Sequence, residues 1–120
     1  RALETAVLNA REVSRLSAVY DVTGIHLFCL EEDQEITARC RNFAPACGID
    51  EESATGTSNG ALTWYLRQHS IIKPGEINHF IQGEAMGKPS VIKTIFDEKE
   101  EEPRIRVGGT AVVVLKGTLI

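Results

Sequence analysis

Cysteine is scarce in this sequence, with only Cys29, Cys40 and Cys47. An odd count without close pairing builds no disulfide framework, so a reducing, cytoplasmic setting is expected. Cys29 and Cys40 fall within strand-like runs, where a free thiol packs as a small hydrophobe. Positive charge is in deficit: 13 Lys and Arg against 17 Asp and Glu give a formal net charge of −4, and no basic block stands out. That argues against a surface for nucleic acid or for anionic membrane. No apolar run approaches spanning length and no signal-peptide pattern is present, so no membrane partner is expected. No Walker-type lysine follows the glycines at Gly56 and Gly60, which excludes a phosphate loop. Ser, His and Asp are all present, but no nucleophile elbow accompanies them. His26 has no partner at a familiar metal-ligand spacing, so it reads as a satisfied strand residue and no metal is expected.

What is present begins with length. The 120 residues suffice for one domain with a real core and are too few for two ordinary ones. The first residue is Arg1 rather than Met, which reads as a piece of a longer protein.

The chain is organised around residues 51–66. Two carboxylates, Glu51 and Glu52, lead into Ala54, Thr55, Gly56, Thr57, Ser58 and Gly60, and the stretch closes with Ala61, Leu62, Trp64, Tyr65 and Leu66. Apolar groups around most of a helix predict a buried helix, over about 55–68. Small residues in its first turn let another group approach the backbone, and the free N–H groups of a helix start favour an anion. One reading is a helix N-terminus pointing into a site for a carboxylate. The other is a polar cap followed by tight helix–strand packing. Glu51 and Glu52 divide in the same way, between complementing the helix dipole and hydrogen-bonding a substrate. Thr55, Thr57 and Ser58 divide between capping and ligand binding.

Around this stretch, Leu3, Ala6, Val7, Ala10, Val13, Leu16 and Ser17 share one face at helical spacing, predicting an amphipathic helix over 3–19 that ends at the Gly24 turn. Residues 25–30 read as a well-buried strand. After the polar turn 31–34, residues 35–43 alternate as its antiparallel hairpin partner, with Ile36, Ala38 and Cys40 on one face. His69 complements the dipole at the end of the central helix. Lys73-Pro74-Gly75-Glu76 fits a type II turn. Residues 77–82 and 90–97 alternate as strands, 97–102 form an acidic solvated tip, 104–107 resume a strand, and 110–115 form an apolar final strand after the Gly108-Gly109 interruption. The expected class is α+β, with a mostly antiparallel, barrel-like sheet wrapped around one central buried helix, plus the N-terminal amphipathic helix.

Three segments then carry a resemblance. Asn42 to Gly60, with Phe43-Ala44-Pro45-Ala46-Cys47-Gly48 leading into Glu51-Glu52-Ser53-Ala54-Thr55-Gly56-Thr57, resembles the PhzF-like isomerase signature of phenazine biosynthesis, in which Phe-x-Pro-x-x-Gly precedes Glu-Asp-Pro-Ala-Thr-Gly-Ser-Ala. Gln82-Gly83-Glu84-Ala85-Met86-Gly87-Lys88-Pro89-Ser90 and Arg106-Val107-Gly108-Gly109-Thr110-Ala111 match two further family segments in order. The resemblance implies a diaminopimelate epimerase-like fold of two pseudo-symmetric halves with the active site between them. Residues 1–120 would be one domain, the C-terminal half. It also implies a cofactor-independent isomerase moving a proton on a small carboxylic-acid metabolite, with the acid/base Glu in the missing N-terminal domain, so that this chain alone is inactive.

Carried onto this sequence, Glu52 takes the position of the family's active-site Asp and Thr57 that of its Ser, the two catalytic candidates. Thr55, Gly56, Ser58, Gly108 and Gly109 are the substrate-binding candidates. Glu for Asp adds a methylene, Ser53 replaces a helix-starting Pro, and Thr57 adds a methyl to the Ser hydroxyl. The implied partners are the metabolite, the missing half and, because the halves are pseudo-symmetric, a second copy in a homodimer. The alternative is a non-catalytic domain that binds a small ligand or dimerises.

Overall fold

The computed structural model describes residues 2–32, 35–99 and 101–120. Its elements are α1 (Ala2–Thr5), α2 (Ala10–Tyr20), β1 (Ile25–Leu30), β2 (Ala38–Ala44), β3 (Ile49–Glu52), α3 (Gly56–Gln68), β4 (Ile77–Gln82), β5 (Ser90–Asp97) and β6 (Arg104–Gly108). This is a mixed α+β chain with one open, six-stranded, mostly antiparallel sheet in the order β1-β2-β4-β5-β6, with β3 also paired to β2.

Alternation builds the sheet. Along β4 the buried residues are Asn78, Phe80 and Gln82, and along β5 they are Ile92, Thr94 and Phe96. The antiparallel register pairs Phe80 with Ile92, so both strands turn the same face to the core. The hairpin of β1 and β2 pairs Phe28 with Cys40. One pair is parallel: Ala38 to Cys40 of β2 lie beside Phe80 to Gln82 of β4. A parallel pair needs a crossover, and the segment carrying β3 and α3 supplies it.

Helix α3 lies on the inner face of this sheet, against β5 and β6. It buries Asn59, Gly60, Leu62, Thr63 and Leu66. Leu62 and Leu66 join Ala38, Cys40, Ile72, Phe80 and Ile92 in the core. Gly56 and Gly60 bring the helix backbone close to Val107, whose methyl groups would lie 3.5 Å from a Cβ at either position. Both distances are those of ordinary packing, so Val107 lies against this face of the helix without requiring glycine at 56 or 60. The helix is not covered all round: Trp64 and Tyr65 remain 47% and 49% exposed, although their rings touch Phe96 and Phe28.

Several sequence expectations are corrected. The single helix over 3–19 is two, because Asn9 caps a new start with its side chain accepting from the Glu12 N–H at 3.2 Å. Helix α2 stops at Asp21 in the left-handed conformation, not at Gly24. Gly24 instead lies where a side chain would strike the Phe43 carbonyl. Strand β1 is an edge strand with Phe28 and Leu30 partly exposed, rather than well buried. Residues 110–115 form no strand: they meet no sheet edge among the described residues, and Val112 to Leu115 stand 84–89% exposed. The acidic tip is not merely solvated, since Asp97 pairs with Arg106 and Glu98 with Arg67; Glu100 lies outside the described residues, as do Asp33 and Gln34 of the turn after β1.

The cysteines also separate. Cys40 is buried, and burial pushes its thiol up to about 12, whereas Cys29 is exposed, contrary to its strand-core reading, as is Cys47. A thiol reagent at pH 8 should therefore modify two thiols rapidly and the third only on unfolding. Three rapid modifications in the native chain would contradict this packing. No helix among the described residues is long and apolar enough to cross a membrane.

Candidate functional site

The start of α3 is positioned from both sides. Strand β3 pairs with the end of β2, Asn42 opposite Glu52, and this delivers the two carboxylates to the helix. Glu51 turns away from the helix start. Its carboxylate takes two hydrogen bonds from the Arg41 guanidinium, at 2.8 and 2.9 Å. The same guanidinium donates to the carbonyls of Leu3 and Ala6 at 3.0 and 2.7 Å, tying the N-terminal segment to the sheet. Hydrogen bonding to Glu51 raises the Arg41 pKa further above its ordinary value. Glu51 is therefore a structural anchor, and Arg41 is a residue the sequence reading passed over.

Glu52 points the other way. Its Oε2 accepts from the Thr55 hydroxyl at 2.6 Å. Thr55 is the residue before the helix, in extended conformation, and its side chain makes no capping hydrogen bond. The first N–H groups of a helix have no intrahelical acceptor, so those of Gly56, Thr57 and Ser58 keep their donors for another group. Of these three residues Gly56 lines an open cleft of about 600 Å³, with Thr55, Ser90, Gly108 and Gly109 among others.

The structure thus brings together Thr55, Gly56, Gly108 and Gly109. Glu52 meets this group through the Thr55 hydroxyl but does not line the cleft, and Thr57 and Ser58 are separated from it. Ser58 lines a second opening, of about 360 Å³, with His26, Asn42, Ala61 and Tyr65. Thr57 is exposed on the first turn. Among the described residues no hydrogen bond joins Thr57 to Glu52; Thr55 is the hydroxyl that does so.

Behind the cleft lies a polar network that sequence spacing did not reveal. The Gln82 amide donates to the Glu52 carbonyl at 2.7 Å and to the Thr55 hydroxyl at 3.0 Å. Asn59 donates to Gln82 Oε1 and to the Thr55 carbonyl, both at 2.8 Å. His26 approaches from β1, with Nε2 3.4 Å from Asn59 Oδ1 and Nδ1 3.1 Å from Asn42 Oδ1. Asn59 and Gln82 are wholly buried. A faint signal existed: Asn78 and Gln82 occupy inward positions in the alternation of β4, where a polar side chain needs a partner. Among the described residues no three His, Cys, Asp or Glu side chains gather as a metal-ligand set.

Burial holds the His26 imidazolium below its ordinary value, although hydrogen bonds to Asn42 and Asn59 work against this. A lowered folded-state value means that the unfolded chain binds the proton more readily. The stabilisation is complete above the unfolded value of about 6.5 and is lost as pH falls toward the lower folded one. Urea midpoints at pH 7.5 and pH 5 should therefore differ more in the native chain than in His26→Gln. Equal differences would show that His26 does not contribute.

Comparisons with known proteins bear on the family and the fold. A family model described as "Phenazine biosynthesis-like protein" matches residues 3–117. An uncharacterized isomerase of Clostridium acetobutylicum is 37% identical over 113 residues, covering 90% of this chain and 37% of its own length. A trans-2,3-dihydro-3-hydroxyanthranilate isomerase of Pseudomonas fluorescens is 34% identical over 83 residues, covering 68% of this chain and 30% of its own. The chain therefore spans 37% and 30% of the length of these two curated relatives. In fold it is similar to the crystal structure of a Bacillus anthracis phenazine biosynthesis protein of the PhzF family, with a TM-score of 0.70 at 23% identity over 89% of this chain and 38% of that one. A match over nearly the whole chain, with relatives named as isomerases, places it plainly: the chain belongs to the phenazine biosynthesis-like, PhzF-type isomerase family.

Proposed function

We propose that the chain is the C-terminal half of a two-domain, cofactor-independent isomerase that moves a proton on a small carboxylic-acid metabolite. The observation that carries this is the helix start: Thr55 turns its hydroxyl to Glu52 instead of capping, and Gly56, the first helical residue, lines the cleft with Gly108 and Gly109. A substrate carboxylate accepts hydrogen bonds there and gains from the helix dipole. Glu52, held by the Thr55 hydroxyl, orients the substrate's polar substituent, and Thr57, which stands apart from the cleft in this chain, joins it only when the other half closes over the exposed side of the first turn. An acid/base carboxylate from the other half removes the proton and returns it at another carbon. The other half, with strands closing the open sheet around Trp64 and Tyr65, completes the barrel-like wrap of α3.

The test uses the longer protein in D2O. The first compound to try is the one for which the Pseudomonas fluorescens relative is named, followed by other small unsaturated carboxylates. Turnover should place solvent deuterium at the carbon that receives the proton, and this chain alone should give none. Glu52→Gln should lower kcat by about tenfold, equivalent to roughly 1.4 kcal/mol, and alter the pH–rate profile. Turnover of every accepted substrate at the native rate in Glu52→Gln would remove Glu52 from the mechanism.

One observation favours a second reading of the isolated chain. Trp64, Tyr65 and the tail from Val112 to Leu115 leave apolar surface uncovered. Two copies pairing across it would form a homodimer without chemistry. Light scattering at high concentration separates the readings, since a strict monomer is incompatible with the dimer.

A further inference from the structure

The network behind the cleft has a direction. Each amide in it spends both of its N–H donors toward the helix start: Asn59 on Gln82 Oε1 and the Thr55 carbonyl, Gln82 on Thr55 Oγ1 and the Glu52 carbonyl. The Thr55 hydroxyl, which accepts from Gln82, donates its own hydrogen bond to Glu52 Oε2. Only one acceptor is left at the far end, Asn59 Oδ1, and it faces His26 Nε2. An oxygen facing a bare ring nitrogen would set lone pair against lone pair. Turning the Asn59 amide over would relieve that and break both of its downstream bonds. Nε2 must therefore carry a proton. Nδ1 faces the Asn42 amide, which can rotate its NH2 group toward the ring at no cost in shape.

We propose that His26 is a positioning residue for Glu52: a neutral imidazole protonated on Nε2, it heads a one-way chain of hydrogen bonds through Asn59, Gln82 and Thr55 that ends on the Glu52 carboxylate. The assignment rests on the isomerase reading for its purpose and on the network alone for its geometry. His26 touches no reacting atom. It fixes the orientation of Asn59, which fixes Gln82, which leaves the Thr55 hydroxyl only Glu52 to donate to. The burial that disfavours the imidazolium acts in the same direction. Buried polar chains of this kind hold one arrangement when every member is satisfied.

Long-range proton–nitrogen NMR on the labelled chain at pH 7.5 should show a single His26 tautomer, with Nε2 protonated and Nδ1 bare. The opposite tautomer, or an imidazolium, overturns the proposal. Two variants then separate positioning from mere filling of space. His26→Gln keeps a donor where Nε2 stood, whereas His26→Leu keeps only the bulk. Hydrogen exchange at the side-chain amides of Asn59 and Gln82 should be native-like in the Gln variant and about tenfold faster or more in the Leu variant. Rates alike in the two variants overturn the proposal, and if the Leu variant does not fold the tautomer measurement decides. In the longer protein, His26→Leu should lower kcat about tenfold with little change in KM, while His26→Gln stays within about twofold of native. Amides that respond while kcat does not would refute the positioning of Glu52. A native protein that turns over nothing in D2O would refute the isomerase reading, while the tautomer and exchange measurements still decide this one.

Discussion

Asn59→Leu should lower the stability of the chain by about 3 kcal/mol, with a fall in Tm on the order of 15 °C. Asn59 is wholly buried and is the node of the polar network. Its loss strips Gln82 Oε1 of its donor and His26 Nε2 of its acceptor, and removes one of the two donors on the Thr55 carbonyl. A buried polar group left without its partner costs roughly 1–3 kcal/mol, and here two are orphaned together. Leucine has the same branched skeleton of four heavy side-chain atoms as asparagine, with bulkier methyl tips, so no cavity opens. The cost is one of unmade hydrogen bonds, and that makes a distinctive prediction. Gln82→Met should be similarly harmful alone, because it takes the side-chain donor from the Glu52 carbonyl and leaves one Asn59 N–H without its acceptor. The double variant should cost clearly less than the sum of the singles, since apolar groups then face each other. Urea unfolding of the four chains checks this. Additive losses would mean that Asn59 and Gln82 stabilise the chain independently.

The same pair shows where sequence reading stops. The strands around them were legible because Ile77 to Gln82 and Ser90 to Asp97 alternate, and a period of two assigns each side chain to a face without knowledge of the neighbour. The helix at residues 56–68 was legible because its glycines, hydroxyls and apolar residues follow one another in a helix-start pattern. Which hydroxyl meets Glu52 was not legible. Thr55 stands before the helix in extended conformation and Thr57 within its first turn, and only the packing of α3 on β5 and β6 sets which of them faces Glu52. The contacts of Asn59 with His26 and Gln82 span 33 and 23 residues of sequence, beyond any local pattern.

Strand β3 was missed for a different reason. Ile49-Asp50-Glu51-Glu52 is short and acidic, a composition that reads as loop. Tertiary partners make it a strand: Arg41 neutralises Glu51, and the end of β2 beyond its pairing with β4 is open to it. The tail shows the converse. Val112 to Leu115 have strong strand propensity, yet a strand exists only against a neighbour, and no described edge of this chain receives them. Propensity proposed a strand at 110–115 and pairing decided against it; at 49–52 pairing made a strand that propensity did not favour.

Gly83→Ala should cost about 3 kcal/mol and should weaken the site as well as the fold. Gly83 follows β4 directly, in the left-handed region at φ 86°, where an L side chain is already strained by roughly 1–2 kcal/mol. A Cβ there would also strike the Lys88 carbonyl and lie 2.8 and 2.9 Å from the Ser53 carbonyl oxygen and Cβ. None of these is the yielding end of a long side chain. The Gly83 carbonyl accepts from the N–H groups of Met86 and Lys88, closing the turn on itself, so the turn cannot swing away without losing those bonds. Relief must come from the segment Ser53 to Thr55, which is the approach to α3. Pushing it outward lengthens the bonds from Gln82 to the Glu52 carbonyl and the Thr55 hydroxyl. Hydrogen exchange should therefore rise at the start of α3 in Gly83→Ala, alongside the lowered urea midpoint. Gly87→Ala serves as the control: its φ of 66° is left-handed too, but nothing lies within 4 Å of an added Cβ. It should cost only the conformational strain and leave exchange at α3 unchanged. Equal losses in the two variants would show that backbone strain, and not contact with Ser53, makes Gly83 necessary.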